Sequence, residues 1–406
     1  MNLGVIHWGF PPRGGGVEAH LITVLPEVVK LGTPVFVLTE TMEGQKAEDT
    51  VEGVKIIRVE GLSSSKLDQR IKKGENLYDS SKKLFDEFID KNKIDVIQAH
   101  NIHMDYFDLA RALMDSCLER GIPCYPVLHN HEFIDRDEET MKKILREIKW
   151  TKIVSISRFI GKAIKKKIPE VPAEKWEVIP HGINLENFKP IDSKEKDKIK
   201  KEYGFSGKRV ILHPARILRW KGIIPAIRAM PKIAKKIPDA ILVLTGRIKP
   251  IFKEQGEIKK YNLEVDEIIK QLKIESYMHI GKYVYKDIPR LTSISDVVIY
   301  TTIGDEPFGL CPVEAMACKV PQVVTASGGL VESVVDGITG YVISKDESKI
   351  PEELGESIIK ILLDSSLAKK MGEAGRKRAE EIFSKTRMAK DFIALSQKLL
   401  KEAKRS

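Results

Sequence analysis

Short apolar runs alternate with amphipathic stretches along the whole of this chain, and that alternation leaves few architectures open. A first series of runs falls at residues 3–8, 34–39, 54–59, 94–100, 122–129, 152–157 and 177–180. A second falls at 209–215, 240–245, 278–281, 296–300, 322–325 and 340–343. Each is short and bounded by turn residues, which reads as a strand. The segments between them carry helical periodicity: in 75–91, Leu77, Leu84, Phe85, Phe88 and Ile89 share a face. Further helices are expected at 223–236, 286–294 and 351–363. Such alternation favours parallel sheets covered on both faces. A chain of 406 residues exceeds one ordinary core. The expected fold is therefore α/β, with two Rossmann-like parallel-sheet domains at 1–190 and 191–384. The lysine-rich segment 192–202 reads as the passage between them, and the amphipathic helix at 385–404 as packing back on the first.

Several function classes fall away on composition. No run of eighteen apolar residues offers a membrane span. The chain opens on a strand with no basic leader, so a cytoplasmic location is expected. Cys117, Cys124, Cys311 and Cys318 match neither a zinc knuckle nor a disulfide framework, and read as free thiols. Residues 1–190 hold 28 Lys/Arg against 29 Asp/Glu, and residues 191–406 hold 40 against 29. The basic second half interleaves its lysines with acids, as in Lys194-Glu195-Lys196-Asp197-Lys198, and lacks aromatic neighbours. No nucleic acid is expected; a polyphosphate ligand would gain from the same field.

The residues that carry chemistry sit after strands, where open α/β sheets bind ligands. Glu306 lies in the loop after 296–300, and Glu314 lies within the helix expected at 312–318. Backbone N–H groups of Phe308, Gly309 and Leu310 line that helix entrance, which favours an anion. Arg216 and Lys221, five residues apart after 209–215, can both reach a diphosphate; a solvated turn is the plainer reading, and Arg219 competes for the role. Gly15 and Gly16 follow the first strand and allow close approach to phosphate, or simply make a tight turn. Gly328-Gly329 precede Glu332, which also suits a helix cap. His129 ends a strand and can meet a sugar hydroxyl. His100 and His103, with His129 and His131, form two pairs, yet without metal-ligand spacing. Asp135-Arg136-Asp137 reads as a helix cap rather than a metal site. No metal is expected.

In this order the motifs resemble family 4 of the retaining glycosyltransferases, which have the GT-B fold. The elements are Gly15-Gly16-Val17-Glu18, the strand end at His129, Val178 to Asn184 with Phe188 and Pro190, Arg216 with Lys221-Gly222, Glu306 through Ala317, and Gly328-Gly329 with Glu332. The resemblance implies two domains facing across a deep cleft, with the acceptor side in 1–190 and the donor side in 191–384. It implies that Glu306 holds donor-sugar hydroxyls, Glu314 the ribose, and Arg216 and Lys221 the diphosphate. Gly16 and the N–H groups of Gly309 and Leu310 would approach phosphate or sugar, and His129 would contact the sugar. Neither cofactor nor metal is implied. The sequence departs from the family pattern at His181 (usually Asn), Lys319 (usually Gly) and Leu31-Gly32-Thr33. The Gly-rich segment is reduced to Gly246-Arg247.

The expected activity is transfer of a hexosyl group, with retention, from UDP-glucose, UDP-N-acetylglucosamine or GDP-mannose to an acceptor hydroxyl. The acceptor would be a sugar, a small molecule or a lipid-linked compound. A sugar-nucleotide epimerase or a sugar phosphorylase on the same fold is the alternative. The basic segment 161–167, flanked by Phe159, Ile160 and Ile164, suggests peripheral docking on the inner membrane face, against a solvated-face reading.

Overall fold

The computed structural model describes residues 1–11, 15–131, 137–246 and 255–405. The chain divides into two compact units: Met1–Gly182 joined by Lys385–Ser406, and Ile183–Ser384. The first unit holds β1 (Leu3–Ile6), β2 (Val35–Glu40), β3 (Glu48–Val51), β4 (Val54–Val59), β5 (Val96–His100), β6 (Cys124–Leu128), β7 (Ile153–Ser155) and β8 (Trp176–Val178). They form one sheet in the order β3-β4-β2-β1-β5-β6-β7-β8. Its strands are parallel except at the β3–β4 edge. That edge hairpin escapes the sequence pattern because Glu48, Asp49 and Thr50 are exposed and polar. Its turn residues Glu52 and Gly53 take φ of 48° and 83°, the left-handed pair that suits a two-residue hairpin.

The second unit holds β9 (Arg209–Arg216), β10 (Ala240–Gly246), β11 (Met278–Ile280), β12 (Val297–Tyr300), β13 (Gln322–Thr325) and β14 (Gly340–Ile343). Their order is β11-β10-β9-β12-β13-β14, all parallel. Strand β9 is the switch point: the chain leaves it toward β10 on one side and returns to β12 on the other. The chain therefore leaves the carboxyl ends of β9 and β12 toward opposite sides of the sheet, the place where open α/β sheets form their ligand crevice. The strands are buried on both faces, which is why they read as continuous apolar runs.

The lysine-rich segment is not a passage. Ser193–Glu202 is a helix of the second unit, capped by Asp192, whose side chain accepts from Glu195 N at 2.8 Å. Lys196 and Lys200 donate to the Asp296 carboxylate at 2.8 and 2.9 Å, and Val210 N donates to it at 2.8 Å. Burial pushes the Asp296 carboxyl up, but the two ammonium groups outweigh it and hold it below the usual range. The unit begins at Ile183, whose N–H donates to Phe383 O at 2.8 Å, so the chain enters and leaves side by side.

Helix Lys385–Ala403 belongs to the first unit, with Met388, Phe392 and Leu399 buried. Thr386 Oγ1 donates to Glu27 on helix Gly16–Lys30 at 2.6 Å, and Ser396 Oγ meets the Tyr125 hydroxyl at 2.9 Å. The basic helix Arg158–Lys167 buries Ile160 and Ile164 in its own unit, Phe159 packs edge-on against His131, and Lys167 pairs with Glu138. Its apolar flank is thus already covered. Among the described residues no helix is long and apolar enough to cross a membrane.

Lys319 adopts φ of 59° just beyond helix Leu310–Ala317, a conformation costly for a residue with a Cβ. Lys319→Gly should raise stability by about 0.5–1 kcal/mol, the left-handed strain exceeding glycine's entropic penalty. Denaturant melts of both proteins would measure this, and an unchanged or lower midpoint would contradict it.

Candidate functional site

The crevice of the second unit is built from three loops tied to one another. After β9 the chain makes a 3-10 turn, Arg219–Lys221, and passes through Gly222 into helix Ile223–Lys236. Gly222 has φ of 66°, and a Cβ there would lie 1.8 Å from the Thr301 carbonyl oxygen. That close approach lets Thr301 Oγ1 donate to Gly222 O at 2.9 Å. Thr302 Oγ1 and Ile303 N both donate to Trp220 O at 2.9 Å. The loop after β9 is thereby fixed against the loop after β12. The third loop follows β13. Gly329 N donates to Glu306 O at 2.7 Å, and Ser327 Oγ accepts from Glu306 N at 3.2 Å. A Cβ on Gly328 would sit 2.1 Å from Glu306 O. These glycines are needed for the backbone of the Glu306 loop itself, so their spacing reports the loop's support.

This bracing brings Lys221 and Glu306 together. Lys221 Nζ donates to Glu306 Oε2 at 2.6 Å and to the Tyr300 hydroxyl at 2.5 Å. It lies 3.7 Å from the Trp220 ring centroid and 4.7 Å from that of Tyr300. The pair is nearly dry, with side-chain exposures of 7% and 12%. Burial pushes the Lys221 ammonium below its usual range, while Glu306 works against that fall. Burial also drives the Tyr300 hydroxyl well up, with Glu306 adding to it. Tyr300 was not singled out from the sequence, although its place as the last residue of a buried strand is the signal that could have found it.

Arg216 ends β9, is exposed, and makes no ion pair among the described residues. Gly246 pairs with it in register; a Cβ there would stand 2.6 Å from Arg216 Cα and 2.3 Å from Ala215 O. Arg219 is drawn elsewhere, to Glu264 and over the Tyr261 ring. It is no rival to Arg216 within this crevice.

Gly309, at φ of 86°, opens helix Leu310–Ala317, and a Cβ there would run into Leu330. Phe308 is buried edge-on against Phe383, with centroids 5.8 Å apart. Glu314 lies within the helix, 6% exposed, and its carboxylate finds no hydrogen-bond donor or cation among the described residues. Burial alone lifts it to about 7. Its folded value stands above the ordinary 4.5, so the protonated form is favoured on folding. Stability should then be full below about pH 4.5, fall as pH rises to about 7, and level off, a loss of up to about 3 kcal/mol. Glu314→Gln should flatten that slope in denaturant melts from pH 4 to 9; an identical slope would contradict the assignment.

The remaining candidates lie in the first unit. A Cβ on Gly15 would strike the buried Glu18 carboxylate at 2.1 Å, whereas one on Gly16 would meet nothing within 4 Å. Pro12, Arg13, Gly14, Asp135, Arg136 and Arg247 lie outside the described residues. Asp137 caps helix Glu138–Glu147, accepting from Thr140 N at 2.7 Å. His129 is 4% exposed and sits among other imidazoles. Its Nε2 lies 2.8 Å from His100 Nδ1, and its Nδ1 is buried with no partner among the described residues. His20 and His181 complete the group, their Nδ1 atoms 3.1 Å apart. His103 turns away, its Nε2 3.1 Å from Asn130 O.

Two family models match the chain: Glycosyltransferase Family 4 over residues 14–187 and Glycosyl transferases group 1 over residues 195–378. Spore coat protein SA of Bacillus subtilis is 27% identical over 256 residues, which are 61% of this chain and 64% of that protein. The match thus spans just under two thirds of that relative. The GDP-mannose-dependent monoacylated alpha-(1-6)-phosphatidylinositol monomannoside mannosyltransferase of Corynebacterium glutamicum is 24% identical over 390 residues, 92% of each chain. Among solved structures, Anabaena Alr3699/HepE in complex with UDP and glucose aligns with a TM-score of 0.73 at 20% identity. That alignment covers 98% of this chain and 100% of the other.

Proposed function

Because this chain belongs to the group 1, family 4 glycosyltransferases and has their GT-B fold, we propose that it moves a hexosyl group from a nucleoside diphosphate sugar to an acceptor hydroxyl, with retention. The observation that carries the reading is the braced, nearly dry Lys221–Glu306 pair together with the buried Glu314 and with Arg216, which makes no ion pair among the described residues. A donor of this kind has three recognisable parts. Its diphosphate needs cations, and Arg216 and Lys221 supply them at one edge of the sheet. Its sugar and ribose need acceptors for their hydroxyls, and Glu306 and Glu314 supply carboxylate oxygens. The N–H groups at Gly309 and Leu310 open a helix toward the same crevice and favour the remaining negative charge.

When the glycosidic bond breaks, negative charge grows on the leaving diphosphate. Cations already in place stabilise that charge with little reorganisation. The leaving phosphate oxygen then takes the acceptor's proton on the face it has just vacated. Retention follows, and no protein base is required. Glu306 orients the sugar and offsets positive charge developing at its anomeric carbon. Gly16, at a helix start of the first unit, leaves open space that suits close approach of phosphate or sugar.

The relatives support two donor classes: HepE was crystallised with UDP and glucose, and the Corynebacterium enzyme is named as GDP-mannose-dependent. That enzyme's name also describes a lipid acceptor, which makes a lipid-linked acceptor one class for this chain. The test incubates the purified protein with UDP-glucose, UDP-N-acetylglucosamine or GDP-mannose and a panel of sugar and lipid acceptors. Release of nucleoside diphosphate together with an α-linked product, identified by NMR, is expected for one donor. A β-linked product would refute retention, and an epimerised donor without release would favour the epimerase.

A further inference from the structure

We propose that the first unit binds a divalent transition-metal ion, zinc by its donor set, between the imidazoles of His20, His100 and His129, with His181 packed beside them. These residues come from four separate places in the fold: helix Gly16–Lys30, the last residue of β5, the residue after β6, and the loop after β8. All four are buried, at 3%, 2%, 4% and 5% exposure. Nitrogens of His20, His100 and His129 lie within 4.8 Å of one another. Local spacing shows only the pairs His100/His103 and His129/His131, so the sequence does not reveal the group that the fold assembles.

The ring arrangement argues for a common centre. Centroids are 5.1 Å apart for His20–His129, 4.7 Å for His20–His181 and 5.7 Å for His20–His100. They are 5.1 Å apart for His100–His129 and 5.2 Å for His129–His181. Imidazoles that share one zinc, with Zn–N of about 2.0–2.1 Å, have centroids about 5 Å apart, the spacing that His20, His100 and His129 keep. Two contacts are directly nitrogen to nitrogen, at 2.8 Å and 3.1 Å. Tetrahedral zinc separates its nitrogens by about 3.3 Å, so shifts of a few tenths of an ångström would admit it.

Protonation favours the same conclusion. Two facing ring nitrogens can share only one proton, so each pair offers at least one lone pair to the centre. His100 Nε2 faces Gln98 Oε1 at 3.4 Å, and Gln98 Nε2 donates to the Tyr125 hydroxyl at 2.7 Å. That chain turns the amide oxygen toward His100 and leaves its Nδ1 free of hydrogen, as an outer-shell partner of a metal ligand does. Imidazole nitrogens suit zinc or its neighbours and not magnesium or calcium. The ion's charge is answered nearby by Glu18, buried and 3.7 Å from the adjoining His7. Such an ion would pin helix Gly16–Lys30 to the carboxyl ends of β5 and β6.

The test uses the full chain with its affinity tag removed. Metal content is measured by mass spectrometry, and chelator-stripped protein is titrated with cobalt(II). One equivalent of zinc is expected, with intense visible cobalt bands of a tetrahedral site that zinc bleaches, and an upward shift of the melting temperature with zinc. His100→Asn and His129→Asn should each weaken cobalt binding at least 100-fold, while His103→Asn should leave it unchanged. Absence of stoichiometric metal, with no cobalt bands and no zinc-dependent stabilisation of the wild-type chain, would overturn the site. So would undiminished binding in both ligand variants. None of these readouts depends on turnover.

Discussion

Replacing Lys221 by Ala should lower the rate of donor turnover by about 10²–10³, the loss found when one preorganised charge-stabilising group is removed. The substitution acts twice. It takes one of two cations from the diphosphate, and it leaves the Glu306 carboxylate, 12% exposed, without its ammonium partner. The second effect also reaches stability. Breaking a buried pair from one side costs about 3–5 kcal/mol when the remaining charge is fully enclosed, and less here because Glu306 keeps some exposure and the Tyr300 hydroxyl at 3.2 Å. Glu306→Gln should lose a comparable factor in rate. The double variant Lys221→Met/Glu306→Gln should be more stable than Lys221→Ala, because no uncompensated charge remains. Nucleoside diphosphate release and thermal melts on the same samples separate the two effects. Turnover within threefold of wild type in both single variants would remove this pair from the mechanism.

Gly222→Ala should destabilise the second unit by about 3–5 kcal/mol, the range of severe backbone and overpacking substitutions. Its left-handed φ of 66° is unfavourable for any Cβ, and the added carbon would stand 1.8 Å from a backbone carbonyl. Relief requires the loops after β9 and β12 to separate, breaking the bonds to Trp220 O and Gly222 O that hold them. Lys221, one residue earlier, would move with them, so activity should fall along with the melting temperature. Gly16→Ala is the contrast, because its Cβ meets nothing within 4 Å. Its melting temperature should stay near that of wild type, and any effect should appear in donor kinetics. A Gly222→Ala protein with wild-type melting would show that the loop junction is softer than its geometry implies.

The strands were legible because parallel strands buried on both faces leave apolar runs with nothing else to be. Strand β3 was not, since its stability comes from a turn and one neighbour rather than from apolar side chains. Helix Ser193–Glu202 looked like a linker because it is held mainly through polar groups, Lys196 and Lys200 on Asp296 and Glu202 paired with Arg290, nearly a hundred residues away. The Glu306 and Lys221 positions could be read as candidates, but their mutual distance could not, nor could Tyr300 between them. Gly328 and Gly329 were visible as close-approach residues; that the approaching atoms belong to Glu306, Pro307 and Phe308 is a tertiary fact. The imidazole cluster is the extreme case, its members spread from position 20 to position 181 with no local signature.

The first unit closes only with Lys385–Ala403, a helix translated after the entire second unit. During synthesis the ribosome therefore releases the inner unit, contiguous from Ile183 to Ser384, while the outer one still lacks the helix that packs on Gly16–Lys30 and reaches Tyr125. The half that begins first finishes last, and exposes its unfinished face throughout the interval in which aggregation competes with folding.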